Sequence, residues 1–401
     1  MNVRCGWILL AGLILAACPQ TPKSPVGWRN DGTGRHPGAA PPLEWSSTKN
    51  ILWETKIGPN KYSSPVVVDG KIFLVADPAL LFCVNADDGR VLWKKSNDFA
   101  DLPDPVADPK RKLGDAGNTT PTPVSDGRSV YVVFGTGIVA AYDLNGDRRW
   151  IRHFDLKPAQ EYGRAASPVL AGGRLLVQLS CLIALDPDTG KELWRNKEVP
   201  ELYGTPVAAT IGGAEVVVTP SGQVVRVSDG TVLVGDLGGL NFASPIVGDG
   251  TVYMIQAGAI AQKLAPSAAG AWQAKAAWEQ DLEGTFYASA LIDGDLIYAV
   301  SSLNLFFILD AKDGKLLVSQ DLTPPGAAPG ARPNLYPSIA LAGGRLYVLN
   351  DLGEAVVLEP GRTYRELKRN RLGDGHGGAP AFDGKRLFLR SGQTLYAIAE
   401  K

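Results

Sequence analysis

The stretch ALDPDTGKELW (Ala184–Trp194) joins the end of an apolar strand to an Asp-Pro-Asp-Thr-Gly turn, with a tryptophan four residues past the turn glycine. The same phrase returns as VNADDGRVLW (Val84–Trp93) and AYDLNGDRRW (Ala141–Trp150), and in weakened form as ILDAKDGKLLV, where Val318 stands in the tryptophan position. Between its copies lies a second phrase, clearest as SPVVVDGKIFLV (Ser64–Val75) and repeated as TPVSDGRSVYVV (Thr122–Val133), SPVLAGGRLLVQ (Ser167–Gln178) and SPIVGDGTVYMI (Ser244–Ile255). Further copies open at Thr205, Ser289, Pro337 and Ala379. Eight copies about 40–48 residues apart, with one longer gap, predict a radial β-repeat.

Each repeat parses as four short strands. The Asp-Gly and Gly-Gly pairs supply the positive φ that tight antiparallel hairpins need, and no segment carries a sustained helical period. The expected fold is therefore all-β: an eight-bladed β-propeller of four-stranded antiparallel blades. The last repeat, ending LFLRSGQTLYAIAEK, stops after three strands. NILWETKI (Asn50–Ile57) holds the missing strand, so it is expected to complete blade eight and close the ring, with Trp53 at the repeat's tryptophan position. Trp53, Trp93, Trp150 and Trp194 are then expected to staple neighbouring blades.

Composition narrows the function classes. The 401 residues carry a net charge of −1 with no basic stripe, which argues against a nucleic-acid partner. His36, His153 and His376 have no metal-ligand spacing; His153 follows a junction tryptophan and reads as structural. No nucleophile elbow or phosphate loop is present. The insertion Lys94–Asn118 is charged but has no calcium-loop spacing. Cys83 and Cys181 lie in equivalent strands two blades apart, too far for a bridge, and are expected as buried free thiols.

The N-terminus reads as an address. A short positive region, an apolar run and LAAC (Leu15–Cys18) make residues 1–17 a signal peptide. Residues 18–42, rich in Pro and Gly, read as a tether, although GWRNDGTGRHPG (Gly27–Gly38) has the character of a segment that docks on the body, residues 43–401.

The turn-and-tryptophan phrases resemble the docking repeat of quinoprotein-type (PQQ-like) propellers, from about Leu43 to Lys401. LAAC resembles a bacterial lipobox, which would make Cys18 the lipidated residue. With eight blades and this size, the chain looks like the family of the outer-membrane assembly lipoprotein BamB. That resemblance implies a lipid-anchored, monomeric, non-catalytic scaffold at the outer membrane facing the periplasm, whose partners are envelope proteins or extended peptides. The alternative within the resemblance is a quinoprotein dehydrogenase holding pyrroloquinoline quinone (PQQ) with Ca²⁺. The chain has no adjacent cysteine pair and few long insertions, so no cofactor is expected. A third reading is a propeller that binds carbohydrate or another small ligand.

The residues just before each opening phrase are expected to ring the channel mouth. They are Tyr62, Asn118, Tyr162 with Arg164, Tyr203, Asn241 with Phe242, Tyr287, Tyr336 and His376. Tyrosines pair apolar area with a hydroxyl at small entropic cost, which suits a binding rim.

Overall fold

A computed structural model describes residues 24–59, 62–104, 106, 117–266, 271–323 and 333–401. The signal peptide and Cys18 lie outside these residues. Eight antiparallel sheets form the body. Blade one is Val66–Val68, Lys71–Ala76, Leu80–Asn85 and Val91–Ser96, and blades two to seven follow in chain order. Blade eight takes Ala381–Asp383, Arg386–Ser391 and Thr394–Ile398 from the C-terminus and Ile51–Lys56 from the N-terminus. The closing strand runs antiparallel to its neighbour, with Trp53 opposite Ala397 and Lys56 opposite Thr394. Closure removes the open edges that would otherwise pair with other chains. A single 3₁₀ turn, Phe99–Asp101, capped by Asp98, is the one helical element among the described residues.

The middle strands of each blade are buried on both faces, as in Leu296–Val300 and Ser129–Val133. Hydrophobic clusters therefore sit between blades. Phe73, Val75 and Cys83 of blade one, for example, pack on Val130, Val132 and Ala140 of blade two. Both cysteines are buried free thiols; burial pushes the Cys83 thiol up to about 12, with Lys71 opposing, and raises that of Cys181. A thiol so far from its thiolate is a packing residue.

The outer seams show what the tryptophan is for. Trp150 lies over Gly190 of blade three, and its Nε1 donates to the Pro187 carbonyl at 2.8 Å. A Cβ on Gly190 would stand 2.5 Å from the indole, and its φ of +68° disfavours a side chain as well. Trp53 over Gly89, Trp93 over Gly146 and Trp194 over Gly230 repeat the contact, with Nε1 donating to Ala86, Leu144 and Val227. Trp278 does the same at Gly314, donating to Ala311 at 2.9 Å. The repeat phrase does not mark Trp278, because its strand belongs to a long hairpin, Gly258–Pro266 with Trp272–Asp281, without the Asp-turn-Gly sequence.

Three seams use other means. Trp272 joins Leu233 and Val234 between blades four and five. Tyr298 Oη accepts the Gly361 N–H, and Arg362 pairs with Asp310 and Asp295, between blades six and seven. Trp45 is buried between blades seven and eight.

The proline- and glycine-rich N-terminal stretch enters the body. Val26 bridges Ser125 antiparallel beside the inner turn of blade two. Arg35–His36 pairs parallel with Ala340–Ala342 on the inner edge of blade seven. The segment Val26–His36 therefore climbs the central channel on one side and descends on the other. The expected docking is real, and it takes the form of a plug. Gly27 permits it, since a Cβ there would lie 2.9 Å from Val124 Cγ2.

Candidate functional site: a neutral aromatic hollow over a hydroxyl ring

Each blade's first strand begins at a serine or threonine, and these residues form a circuit. The Ser64 N–H donates to Thr122 Oγ1, Thr122 to Ser167, Ser167 to Thr205 and Thr205 to Ser244, at 2.8–3.0 Å. Ser244 donates to Ser289, Ser289 to Ser338, and Ala379 closes onto Ser64 at 2.9–3.1 Å. Hydroxyl side chains are required here because each must accept a backbone N–H that has no ladder partner at the strand's start. The circuit has one break: Ala379 places a methyl where the other blades place a hydroxyl, so the Ser338 N–H receives no acceptor from blade eight.

Above this ring lies a hollow of about 460 Å³. Its wall is an arc of six aromatic rings. Tyr162 and Tyr203 are 5.9 Å apart, Tyr203 stacks on Phe242 at 5.2 Å, and Phe242 meets Tyr287 edge-on at 4.9 Å. Tyr287 and Tyr336 follow at 5.2 Å, and Tyr336 meets Tyr62 edge-on at 5.8 Å across blade eight. Gly377 and Gly378 of blade eight line the hollow between those two rings, and Thr120 stands where the arc is open at blade two. All six aromatics are partly exposed. Burial first, then Asp351, raises the Tyr62 phenol; burial also raises that of Tyr336, so both remain proton donors at neutral pH.

Trp28, carried by the N-terminal plug, also lines the hollow, so the site has a floor. Next to it Arg29 is buried in the channel, its Nη2 donating to the carbonyls of Ala290, Ile339 and Thr33. Desolvation lowers its pKa to about 9 despite the nearby Asp31. The plug is thus pinned to blades six and seven by a guanidinium acting on main-chain oxygens.

Six of the expected rim residues meet in this hollow: Tyr62, Tyr162, Tyr203, Phe242, Tyr287 and Tyr336. The other four do not. Asn118 turns into the seam between blades one and two, where Nδ2 donates to Pro78 and Oδ1 accepts the Thr136 N–H. Arg164 is buried, donates to Gly135 and Leu156, and lies 3.3 Å from Glu201. Burial raises the Glu201 pKa, with Arg164 opposing. His376 is fully buried with Nδ1 3.2 Å from the Arg390 carbonyl, and Asn241 borders a separate hollow of about 110 Å³ beside Gln256.

The reason is register. Tyr62, Tyr203, Phe242, Tyr287 and Tyr336 each stand two residues before a ring serine or threonine, and that offset faces the hollow. Arg164 and Asn241 stand three before such a residue and His376 three before Ala379, and these point away. Tyr162 stands further upstream and fills the place left by Ala165, its N–H donating to Tyr203 Oη at 3.0 Å. The sequence therefore contains the signal, as an offset of two from a hydroxyl. Trp28 has none, since nothing local says that a Pro/Gly-rich segment enters the channel.

No charged side chain lines the hollow, and the described residues hold no group of three His, Cys, Asp or Glu able to bind a metal ion. Pyrroloquinoline quinone is a tricarboxylate used with Ca²⁺, so it needs cations for its carboxylates and carboxylates for its metal. The residues present do not fit it.

These features define an eight-bladed propeller of the quinoprotein-like class with a plugged, uncharged mouth. The chain belongs to the family of the outer membrane protein assembly factor BamB, whose family model matches residues 46–197 and 180–399. The structure of BamB from Moraxella catarrhalis is similar, with a TM-score of 0.62, 13% identity, and coverage of 88% of this chain and 97% of that one. A computationally designed protein, Ika8, has the same architecture at a TM-score of 0.57 and 10% identity, covering 86% of this chain and 99% of that one. At the level of sequence, the quinohemoprotein alcohol dehydrogenase ADH-IIG of Pseudomonas putida is 26% identical over 199 residues, 44% of this chain. The match spans only 26% of that enzyme's length. No helix among the described residues is long and apolar enough to cross a membrane.

Proposed function

We propose that this protein acts by binding and not by catalysis, as an envelope scaffold whose partners are proteins of the outer-membrane assembly kind. The observation that carries the reading is the character of the hollow. The hollow at the mouth of the ring offers aromatic faces and hydroxyls without a cation or a carboxylate cluster. Quinone-dependent oxidation would need both, cations for the cofactor's carboxylates and carboxylates for its calcium ion.

Membership of the BamB family supports the protein-partner side of the proposal. The alternative, a quinoprotein dehydrogenase, draws on the partial match to the alcohol dehydrogenase and is opposed by the lining. In our reading Cys18 carries a lipid anchor. Val26 enters beside the inner turn of blade two, on the face opposite the hollow, so an anchor shortly upstream would turn the hollow away from the membrane.

Three measurements test this. Crosslinking in envelope membranes should recover outer-membrane assembly proteins with the wild-type chain, and Cys18→Ala should release the protein from the membrane fraction. Titration with PQQ and Ca²⁺ should give neither saturable binding nor dye reduction. Stoichiometric quinone binding with dye reduction would overturn the non-catalytic reading.

A further inference from the structure

We propose that the hollow is a binding site for an uncharged saccharide, anchored at the break in the hydroxyl ring at blade eight. The inference rests on the reading that the hollow binds and does not catalyse, and it adds a ligand class distinct from the protein partners.

Three features point to this class. The walls are six partly exposed aromatic rings that run in a contiguous arc around the hollow. Such faces suit the C–H face of a sugar ring, which is apolar and flat. The floor below them is unusually rich in hydroxyls. Each of the seven ring oxygens already accepts a backbone N–H and keeps its own proton and one lone pair, the pairing capacity that matches sugar hydroxyls. The lining has no charge, so an acidic sugar or a phosphate would lose its hydration without gaining a counter-ion.

The break sets the orientation. At blade eight the sequence is Gly377-Gly378-Ala379, so that blade contributes neither a hydroxyl nor an aromatic side chain of its own. A Cβ on Gly378 would lie 2.7 Å from the Ser63 carbonyl, so the close backbone contact between blades eight and one admits no side chain at this position. Tyr336 and Tyr62 flank it at 90° to each other. The Ser338 N–H, lacking the hydroxyl acceptor that its counterparts have, is left for an oxygen of the ligand. The floor closed by Trp28 makes the site a cup, which takes a terminal sugar unit and gives an extended peptide no through-path.

The test uses the full chain against an array of neutral and acidic glycans. Titration calorimetry follows with neutral mono- to tetrasaccharides of glucose, galactose, mannose and N-acetylglucosamine. The expected result is saturable binding of at least one neutral saccharide, with an affinity unchanged across a tenfold range of salt. Tyr203→Ala and Phe242→Ala should each weaken it about tenfold or more with an unchanged melting profile. Ala379→Ser, which supplies the eighth hydroxyl and occupies the Ser338 N–H, should weaken it about tenfold while the fold becomes more stable. The inference is overturned if the folded wild-type chain binds no neutral saccharide, if only acidic glycans or uncharged peptides occupy the hollow, or if Tyr203→Ala and Ala379→Ser both leave affinity unchanged. Loss of this inference with intact crosslinking to assembly proteins leaves the scaffold reading standing; quinone binding in the hollow would remove both.

Discussion

The outer wall and the central channel of this propeller are built on opposite principles. At the wall one device is used five times, an indole laid over a turn glycine of the next blade with its N–H on a main-chain carbonyl. In the channel seven blades contribute one hydroxyl each and six contribute one aromatic rim residue each, and the N-terminal segment fills the middle. The wall is redundant and local, so it holds the ring together and carries little information. The channel is non-redundant, so one departure, Ala379 for a serine or threonine, changes its chemistry. Stability should therefore reside mostly in the seams, and recognition in the mouth.

The largest expected effect is at the wall. Trp150→Ala removes a buried indole from the seam between blades two and three and should cost about 3–5 kcal/mol in chemical denaturation. A loss within the error of the midpoint would show that the indole is decorative. Next comes the plug. Burial lowers the His36 pKa from 6.5 to about 4, with Asp31 opposing and Arg29 adding to the shift. A depressed pKa means that its contribution to stability is present above the unfolded value, near 6.5, and is lost as pH falls through about 4. The full contribution is about 3 kcal/mol. His36→Phe, which keeps the edge contact with Phe382, should flatten the acid limb of the stability curve; an identical limb in both proteins would locate the acid sensitivity elsewhere.

Smaller effects sharpen the contrast. Gly146→Ala forces a side chain at φ +93° against the Trp93 ring and should cost about 2 kcal/mol. Ala379→Ser should instead gain about 1 kcal/mol by completing the hydroxyl circuit; a neutral or destabilising result would mean the gap cannot accept the eighth bond. The double change Tyr162→Ala with Tyr203→Ala should shift the melt least, by a few tenths of a kcal/mol, while abolishing ligand capture. Equal losses of stability and capture would assign those rings to packing.

The legibility of the molecule follows the same division. The turn glycines and Trp53, Trp93, Trp150 and Trp194 could be read because each lies within one short phrase, and a repeated phrase reports its own spacing. Trp278 escaped because its blade lengthens the hairpin and loses the Asp-turn-Gly phrase, although the packing it makes is the same. At the mouth, residue type alone was a partial guide. Tyr62, Tyr203, Phe242, Tyr287 and Tyr336 lie where an aromatic stands two before a hydroxyl, whereas Asn118, Arg164 and His376 have the right neighbourhood and the wrong register. A shift of one position on a strand end moves a side chain from the hollow to the seam.

By itself the sequence determined the all-β ring, its eight blades and its closure by Asn50–Ile57, because hairpin turns, period-two strands and junction tryptophans are local signals repeated often enough to be unambiguous. Only the tertiary structure decided that Val26–His36 occupies the channel, that Trp28 floors the hollow, and that seven hydroxyls form a circuit open at Ala379. Those features join residues as far apart as Arg29 and Ile339 or Ser64 and Ala379, whose contacts exist only once the ring has closed. No window along the chain contains both partners, so no local pattern could announce them.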